Sequence, residues 1–276
     1  MTKNILITGS RGFIGSCLVK ELESKEYALA CYDGDVRKPF KHDGPVDVVI
    51  HLAGRWRARN GGPERSVYDI NILGALNALE FCRGKGAKCI MMSTCGVYGN
   101  PRENPVKEGA ETNPFNAYTR SKVIAEELCR GYAEDHGVSA IILRLFNSYG
   151  ARQQPQFLIP SIVDAIRRDK RLELHDPNLR RDYVHIDDVV RAIVKAVEYE
   201  TAFELFNIGS GKSYSVQEVV NMIEKLMGKR LDHVFDKTKD VLIKNIEADI
   251  SHSKEKLRWA PEKELEAGLA ELLQQT

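Results

Sequence analysis

Short apolar runs alternate with longer amphipathic segments through the first half of the chain. The runs predict buried strands because they are brief and apolar throughout, whereas the segments between them carry apolar residues at helical spacing. The predicted strands cover 4–8, 27–32, 46–52, 88–92 and 139–145, and the predicted helices cover 12–24, 70–82 and a long segment from Asn113-Pro114 to about Glu134. This alternation predicts an α/β fold built on a Rossmann-type doubly wound parallel sheet.

The pattern loosens after Asn147. A loop is predicted by Gln153, Gln154, Pro155 and Pro160, and helical periodicity follows at 161–169, 187–199, 215–228 and 252–275, the last broken at Pro261. We expect a dinucleotide-binding domain over residues 1–150, which also takes part of 184–207. A smaller C-terminal substrate domain over residues 151–276 would be interleaved with it.

Composition narrows the class of ligand. The 276 residues carry 40 Lys and Arg against 39 Asp and Glu, a formal net charge of +1. Proteins that bind nucleic acid or anionic membranes usually show a clear basic excess, so we expect neither partner and predict a small-molecule ligand. No apolar run approaches the ~20 residues that span a bilayer. The six cysteines lack metal-ligand spacing and the N-terminus lacks a signal peptide, which predicts a cytoplasmic protein without a bound metal.

A glycine-rich turn follows the first predicted strand. Gly9, Gly12 and Gly15 form a G-x-x-G-x-x-G pattern immediately before the first predicted helix. Gly9 would permit the tight turn, Gly12 the approach of a diphosphate, and Gly15 the close packing of helix on strand. Because a helix N-terminus also offers free N–H groups and partial positive charge, the turn predicts a dinucleotide site.

The residues after the second strand bear on the choice of dinucleotide. Asp33 or Asp35 could bond the adenosine ribose of NAD, although Asp33-Gly34 is also an ordinary turn signal. Arg11, inside the glycine turn, could pair with the 2′-phosphate of NADP or lie in solvent. We predict NAD as the cofactor, with NADP possible.

Thr94, Tyr118 and Lys122 form a candidate catalytic group. Tyr118 and Lys122 are four residues apart and share one face of the long predicted helix. Lowering a tyrosine pKa from ~10 to ~7 requires roughly 4 kcal/mol of preferential stabilisation of the phenolate. A lysine ammonium and the positive ring of an oxidised nicotinamide could supply it, and Thr94 would orient the same substrate hydroxyl. A Tyr-x-x-x-Lys pair alone is usually a surface pair, but its position after the glycine turn favours catalysis.

Together these motifs resemble the extended short-chain dehydrogenases/reductases of the nucleotide-sugar epimerase/dehydratase family. Similar segments are His51-Leu52-Ala53-Gly54, Asn71 in N-I-L-G-A-L-N, Arg144 to Gly150, Arg181-Asp182-Tyr183-Val184-His185 and Asn207 to Gly211. The resemblance implies cofactor contacts from Gly9, Arg11, Gly12, Phe13, Ile14, Gly15, Asp33, Asp35, Val36, Leu52, Ala53, Gly54, Asn71, Ser93, Tyr118, Lys122 and Phe146. It implies contacts with a nucleotide-diphosphate sugar from Thr94, Cys95, Asn147, Arg181 and Lys237, the last standing where the family often has R-P-G-D. It also implies a homodimer formed through the helices near 70–82 and 114–134.

The resemblance further narrows the reaction. Family members share a first step in which the tyrosine takes a proton from the sugar 4-hydroxyl while hydride passes from C4 to NAD. Dehydratases of the family carry Asp-Glu where this chain has Cys95-Gly96, and decarboxylases carry Glu at the Gly96 position. We therefore predict an NAD-dependent epimerase with a transient 4-keto intermediate. The alternative is an NAD(P)H-dependent reductase of a nucleotide-linked 4-keto sugar.

Two features of the sequence allow a second interpretation. Cys95 could act as an acid beside the ketone or simply line the pocket. A scaffold protein that kept the fold and lost the chemistry is disfavoured by intact Thr94, Tyr118 and Lys122.

The chain also looks short for the family, because only ten residues separate Asp35 from Val46. We expect a strand and a helix to be missing there, beside the adenine.

Overall fold

A six-stranded parallel sheet forms the centre of the computed structural model, which describes residues 2–58, 62–236, 238 and 241–275. Its strand order is β2-β1-β3-β4-β5-β9. The strands are β1 Asn4–Thr8, β2 Ala28–Tyr32, β3 Val48–His51, β4 Lys88–Thr94, β5 Ala140–Leu145 and β9 Phe203–Ile208. All five neighbouring pairs run parallel, which confirms the predicted α/β fold with a doubly wound Rossmann-type sheet.

Apolar side chains project from both faces of this sheet, because helices cover both faces. Along β1, Ile5 and Ile7 enter the core on one face and Leu6 enters the core on the other. Helices α1 (Phe13–Glu23) and α6 (Ile186–Glu198) pack on the first face. Helices α3 (Gly74–Lys85) and α4 (Ala117–His136) pack on the second. The continuous apolar runs of the sequence are therefore explained by burial from two sides.

Two helix starts differ from the sequence predictions. Helix α4 begins at Ala117, because Asn116 caps it in a box with Thr119, and not at Asn113-Pro114. The helix predicted over 70–82 begins earlier, with α2 (Arg65–Tyr68) followed by a π-helical turn (Asp69–Leu73) that leads into α3. The predicted start at Asn113-Pro114 was wrong because the choice between two possible caps depends on contacts that the local sequence does not reveal.

The second half of the chain contains two small sheets that the sequence pattern did not predict. In one, β8 (Arg180–His185) lies between β10 (Ser213–Ser215) and β12 (Asn245–Ile246), and β6 (Asn147–Tyr149) also pairs with β8. In the other, β7 (Leu172–Leu174) pairs with β11 (His233–Phe235). These strands are too short and too polar to produce a readable alternation.

A 3-10 helix (Cys95–Tyr98) follows β4, and four further α-helices lie in the described chain: α5 Leu158–Arg167, α7 Val216–Met227, α8 Ser251–Glu255 and α9 Leu265–Gln275. Pro160, expected in a loop, lies in the first turn of α5, where a missing N–H removes no helical hydrogen bond. Helices α5, α7 and α9 share a separate apolar core. The proposed domain division at residue 150 stays a prediction, although β9 and α6 do pack with the first sheet. Within the described residues, none of the helices combines the length and apolar character needed to cross a membrane.

The connection from β2 to β3 is short, as the spacing indicated. Residues 33–47 contain no helix or strand, so β2 forms the edge of the sheet. Phe40 folds back from this connection and stacks on Tyr32 with a centroid distance of 4.4 Å. Its ring also fills part of the core that α3 covers. A single buried aromatic side chain thus anchors the shortened segment.

Candidate active site

The glycine turn leaves room for a phosphate group at the start of α1. At Gly9, with φ +72°, a Cβ would lie 2.7 Å from the backbone N of Ala53, and at Gly15 it would collide with the backbone of Gly9. At Gly12, by contrast, a Cβ would approach only the carbonyl oxygen of Gly9, at 3.2 Å. Gly12 is also the N-cap of α1, and the first turn has neither a capping side chain nor an acidic residue. These residues fit the diphosphate of a dinucleotide.

The carboxylates after β2 are both paired with arginines. Arg11 meets Asp33 with Nη2 2.6 Å from Oδ2, and both side chains are largely exposed. Arg37 binds Asp35 through two nitrogens, and this hydrogen bonding lowers the pKa of Asp35 to about 2. A cavity of about 460 Å³ lies beside them, lined by β2, both carboxylates and the side chains of Lys38 and Lys41. This cavity has the chemistry expected at the adenosine end of a dinucleotide site.

Asn71 joins the loop after β3 to helix α4. Its Oδ1 accepts from the backbone N of Arg55 at 2.7 Å, and its Nδ2 donates to the carbonyl of Arg55 and to Ser121 Oγ. Both amide donors are therefore used within the protein. The π-helical turn before α3 contains Asn71, and a Cβ placed on Gly54 would lie 3.3 Å from Lys122 Nζ. Asn71 thus shapes the predicted cofactor site through the backbone rather than by an open donor.

The structure brings Thr94, Tyr118 and Lys122 together. Thr94 is the last residue of β4, and its hydroxyl accepts from the backbone N of Gly96 and contacts the Tyr118 hydroxyl. Lys122 is buried one turn beyond Tyr118, with Nζ 6.0 Å from the centre of the tyrosine ring. Its ammonium donates to the carbonyl of Met92 at 2.8 Å. The end of one strand and the first two turns of one helix therefore supply the whole candidate catalytic group.

Burial dominates the protonation of this pair. It raises the pKa of Tyr118 to about 12, although the hydrogen bond with Thr94 acts in the opposite direction. It lowers the pKa of Lys122 to about 8, although the carboxylate of Glu126 acts in the opposite direction. In the protein alone the phenol is therefore neutral at ordinary pH, and the predicted help from the Lys122 charge stays a prediction. A further positive charge is needed, and an oxidised nicotinamide ring carries one.

A buried ion pair lies beneath Lys122, and sequence reasoning missed it. Glu126, one turn after Lys122, accepts from Arg144 on β5 with Nη2 2.6 Å from Oε2, and also from Ser93 Oγ. Both charged side chains are almost fully buried. Arg144 also donates to the carbonyl of Glu108 and lies 4.7 Å over the ring of Tyr98. The i, i+4, i+8 spacing of Tyr118, Lys122 and Glu126 was the available signal.

The remaining predicted cofactor residues surround the glycine turn. Leu52 N donates to the carbonyl of Thr8, and Ala53 N donates to the Thr8 hydroxyl. Ile14 packs on the core, and the ring of Phe13 lies 3.7 Å from where a Cβ on Gly150 would stand. Across the shortened connection, the carbonyl of Val36 accepts from Asn77. Their roles toward a cofactor stay predictions.

The predicted substrate residues other than Thr94 have different surroundings. Cys95 is buried, as is the predicted cofactor residue Phe146, and burial raises the pKa of the Cys95 thiol to about 12. Asn147 donates to the carbonyl of Asp182, and Arg181 donates to the carbonyls of Arg180 and Ile243. Lys237 lies outside the described residues. At Gly96 a Cβ would lie 2.9 Å from Thr119 Cγ2, so a larger side chain there requires Thr119 to move.

His51 lies in the sheet directly below the site. Its Nδ1 is 2.9 Å from Thr8 Oγ1, and its Nε2 is buried with no hydrogen-bond partner among the described residues. Burial, with a smaller contribution from the charge of Lys122, lowers the pKa of His51 to about 3. The ring is therefore neutral in the folded protein over the usual pH range.

We expect His51 to make the fold acid-sensitive. Unfolded histidine has a pKa near 6.5, so between about pH 6.5 and about pH 3 the unfolded state binds more protons. The free energy of unfolding should therefore fall as the pH falls through this window, by about 5 kcal/mol at most. Urea unfolding as a function of pH measures the effect. His51→Phe should flatten the dependence and exposed His136→Gln should not; equal slopes in all three proteins would contradict the prediction.

Comparison with known proteins gives a consistent result. Residues 5–209 match the model of the NAD dependent epimerase/dehydratase family. A protein of Methanocaldococcus jannaschii, provisionally named UDP-glucose 4-epimerase, is 33% identical over 96% of this chain and 95% of its own length. The UDP-glucuronic acid 4-epimerase of Bacillus cereus, solved with a UDP-sugar and NAD, has a TM-score of 0.89 at 27% identity, with 98% of each chain covered.

Similarity also extends to a reductase: the GDP-6-deoxy-D-mannose reductase of Pseudomonas aeruginosa is 27% identical over 99% of this chain and 97% of its own length. RMD from Pseudomonas aeruginosa, solved with NADPH, has a TM-score of 0.90 at 26% identity, and the match covers 99% of this chain and 98% of that one. Similarity therefore extends to proteins solved with either nicotinamide cofactor. It does not separate epimerisation from reduction.

Proposed function

The chain belongs to the NAD dependent epimerase/dehydratase family, a family of NAD(P)-dependent enzymes of nucleotide sugars, and from this premise we propose that it is a nucleotide-sugar epimerase acting through a transient 4-keto intermediate. The observation that carries the proposal is the set of side chains that the site contains. Thr94, Tyr118 and Lys122 meet there, while Cys95 is a neutral buried thiol and Gly96 has no side chain. Epimerisation at C4 needs no further acid or base.

The glycine turn and the start of α1 would hold the cofactor diphosphate, with the nicotinamide toward Tyr118 and Phe146. Bound NAD would supply the acceptor and later the donor of the C4 hydride. Thr94 would orient the sugar 4-hydroxyl. Tyr118 would take the proton of that hydroxyl and return it after the 4-keto sugar has rotated in the site. Lys122 would stabilise the phenolate by its positive charge.

Cofactor extraction combined with a turnover assay tests this function. We expect the purified protein to release NAD or NADH on denaturation, and to interconvert UDP-glucose and UDP-galactose without added cofactor. Chromatography of the nucleotide and of the sugar products measures both. Stoichiometric consumption of NADPH with a nucleotide-linked 4-keto sugar, and no epimerisation, would replace the proposal by a reductase.

The reductase is the second candidate because of one observation at the adenosine end. Arg11 already pairs with Asp33 beside the glycine turn, and Arg37, Lys38 and Lys41 lie in the same shortened connection. This local excess of positive charge would suit a 2′-phosphate. A reductase would release its oxidised cofactor after each turnover, whereas an epimerase retains it.

We also propose that the protein forms a homodimer through α3 and α4. The outer face of α4 carries Ile124, which is 41% exposed, beside an apolar depression of about 390 Å³. On the π-helical turn that leads into α3, Leu73 is also exposed, at 40%. An exposed apolar face of this kind on two packed helices fits a second copy of the same surface.

Ile124→Glu should convert the dimer into a monomer, because it buries a charge in the apolar contact. Light scattering after size-exclusion chromatography measures the mass. Val234→Glu, at an equally exposed apolar position on β11, is the matched control and should remain dimeric. A monomeric unsubstituted protein would refute this interface.

A further inference from the structure

Two exposed aromatic rings on different loops contact each other. Trp56 is 42% exposed and Phe157 is 40% exposed, and their ring centroids are 5.8 Å apart at an interplanar angle of 46°. We call this pair the aromatic clasp. Large apolar rings usually pack into a core. Two rings that stay exposed and contact each other between loops indicate a role in binding and not in core packing.

One side of the clasp is anchored to the catalytic helix. Trp56 follows Arg55, whose backbone N–H and carbonyl are both held by Asn71. Asn71 in turn donates to Ser121, next to Lys122 on α4. The Trp56 ring is thus carried by a short segment whose preceding residue is fixed beside the reacting groups.

The other side is anchored near the glycine turn. Phe157 is the N-cap of α5, and its carbonyl accepts from the backbone N of Ser161 at 2.9 Å. The loop that leads to it leaves β6 past Gly150, which lies against Phe13 in the first turn of α1. The clasp therefore connects a segment fixed to α4 with a segment that lies against α1.

Sheet topology places this connection over the site. Strand β4, which ends at Thr94, lies between β3 and β5 in the sheet. Trp56 follows β3, and Phe157 follows β5 and β6. Ligands of open α/β sheets bind in the crevice outside the carboxyl ends of the strands. The contact between these two loops therefore spans the position of β4 in the strand order, on the carboxyl side of the sheet.

We propose that the aromatic clasp closes the crevice over a bound nucleotide sugar, parting to admit it and re-forming above it. This inference rests on the proposed function. In the first half-reaction the sugar loses hydride from C4 to the cofactor and a proton from its 4-hydroxyl to Tyr118, so it becomes a ketone while the cofactor is reduced. No covalent bond holds the ketone, and its escape would leave the protein with reduced cofactor. A closed clasp slows that escape.

The charge beside the clasp suits an anionic sugar nucleotide. The guanidinium carbon of Arg57 lies 4.3 Å from the centre of the Trp56 ring. This stacking holds a positive charge beside the clasp, and no ion pair of Arg57 with an acidic side chain is found among the described residues. A diphosphate approaching the crevice would be attracted to it, and such attraction weakens with ionic strength.

Tryptophan fluorescence tests the closure directly. The chain has two tryptophans, and Trp259 is buried and donates to the carbonyl of Asp188, so Trp56 supplies the emission that a soluble quencher reaches. In the protein as purified, we expect UDP to reduce acrylamide quenching part of the way toward the level of the Trp56→Phe variant, because the clasp parts less often over an occupied crevice while one side of the Trp56 ring stays exposed. Unchanged quenching, with UDP binding verified by calorimetry, would overturn the clasp alone. Absence of UDP binding would overturn the clasp together with the proposed UDP-sugar function.

Escape of the ketone is the second readout. During turnover of UDP-glucose, Trp56→Ala and Phe157→Ala should each accumulate reduced, sugar-free enzyme about two- to tenfold faster, the effect of losing one aromatic contact. The near-ultraviolet absorbance of reduced nicotinamide measures it. Val234→Ala removes an equally exposed apolar side chain on β11 and should match the unsubstituted protein. Accumulation at the unsubstituted rate in both alanine variants would overturn the clasp.

Discussion

Tyr118→Phe should reduce turnover by about 10²- to 10⁴-fold, the usual contribution of a positioned general acid or base. Its phenol is hydrogen-bonded with Thr94, and no second group of comparable chemistry stands beside it among the described residues. Phenylalanine keeps the ring and removes only the oxygen. The folded structure and the retained cofactor should therefore be unchanged.

The measurement is steady-state conversion of UDP-glucose together with the nicotinamide content of the purified variant. Tyr132→Phe is the matched control, because Tyr132 lies on the same helix and bonds Glu80 on the outer surface. That variant should turn over like the unsubstituted protein. Full turnover in Tyr118→Phe would show that another group handles the proton.

Glu126→Ala should be the most destabilising single change in the site, by about 3–5 kcal/mol. Burial alone would lower the pKa of Arg144, but its hydrogen bonds and charge contact with Glu126 raise it. Removal of the carboxylate leaves a buried guanidinium without its counter-charge. It also removes the acceptor of Ser93, the residue before Thr94.

Urea unfolding measures this loss, and the adjacent residue offers a control. Glu127 lies on the exposed face of the same turn, so Glu127→Ala should change the free energy of unfolding by less than about 0.5 kcal/mol. A double variant, Glu126→Leu with Arg144→Met, replaces both charges by apolar groups and should recover much of the stability. Equal effects of Glu126→Ala and Glu127→Ala would contradict the assignment.

Sequence patterns predicted the central sheet and its first turn well because both depend on local information. The apolar runs of β1 and β5 are buried on two faces. In the first turn, Gly15 is required by a contact with Gly9 six residues earlier, and Gly9 by its positive φ, although a Cβ on Gly9 would also meet distant Ala53. The start of α4 was wrong because Asn113 and Asn116 both resemble caps. Only the fold selects between them, since Asn113 N donates to the carbonyl of Val97.

The parts of the site that were missed depend on distant residues. Glu126 and Arg144 are 18 positions apart and meet only when β5 lies beside β4 under α4. The contact between Trp56 and Phe157 spans an even longer stretch of chain. Neither partner is unusual in its own neighbourhood, so no local pattern could reveal the pairing. The sequence showed Thr94, Tyr118 and Lys122 only because two of them are one helical turn apart.

The shortened connection after β2 has a consequence for association between chains. Because residues 33–47 form no strand, one side of the five-residue β2 has no strand partner in the described fold. Such an edge presents unsatisfied backbone donors and acceptors that another extended segment could join. Its short length and the charged residues Lys25 and Glu26 just before it limit that pairing. The short connection thus makes the fold more compact but leaves the edge of the sheet at β2 less protected.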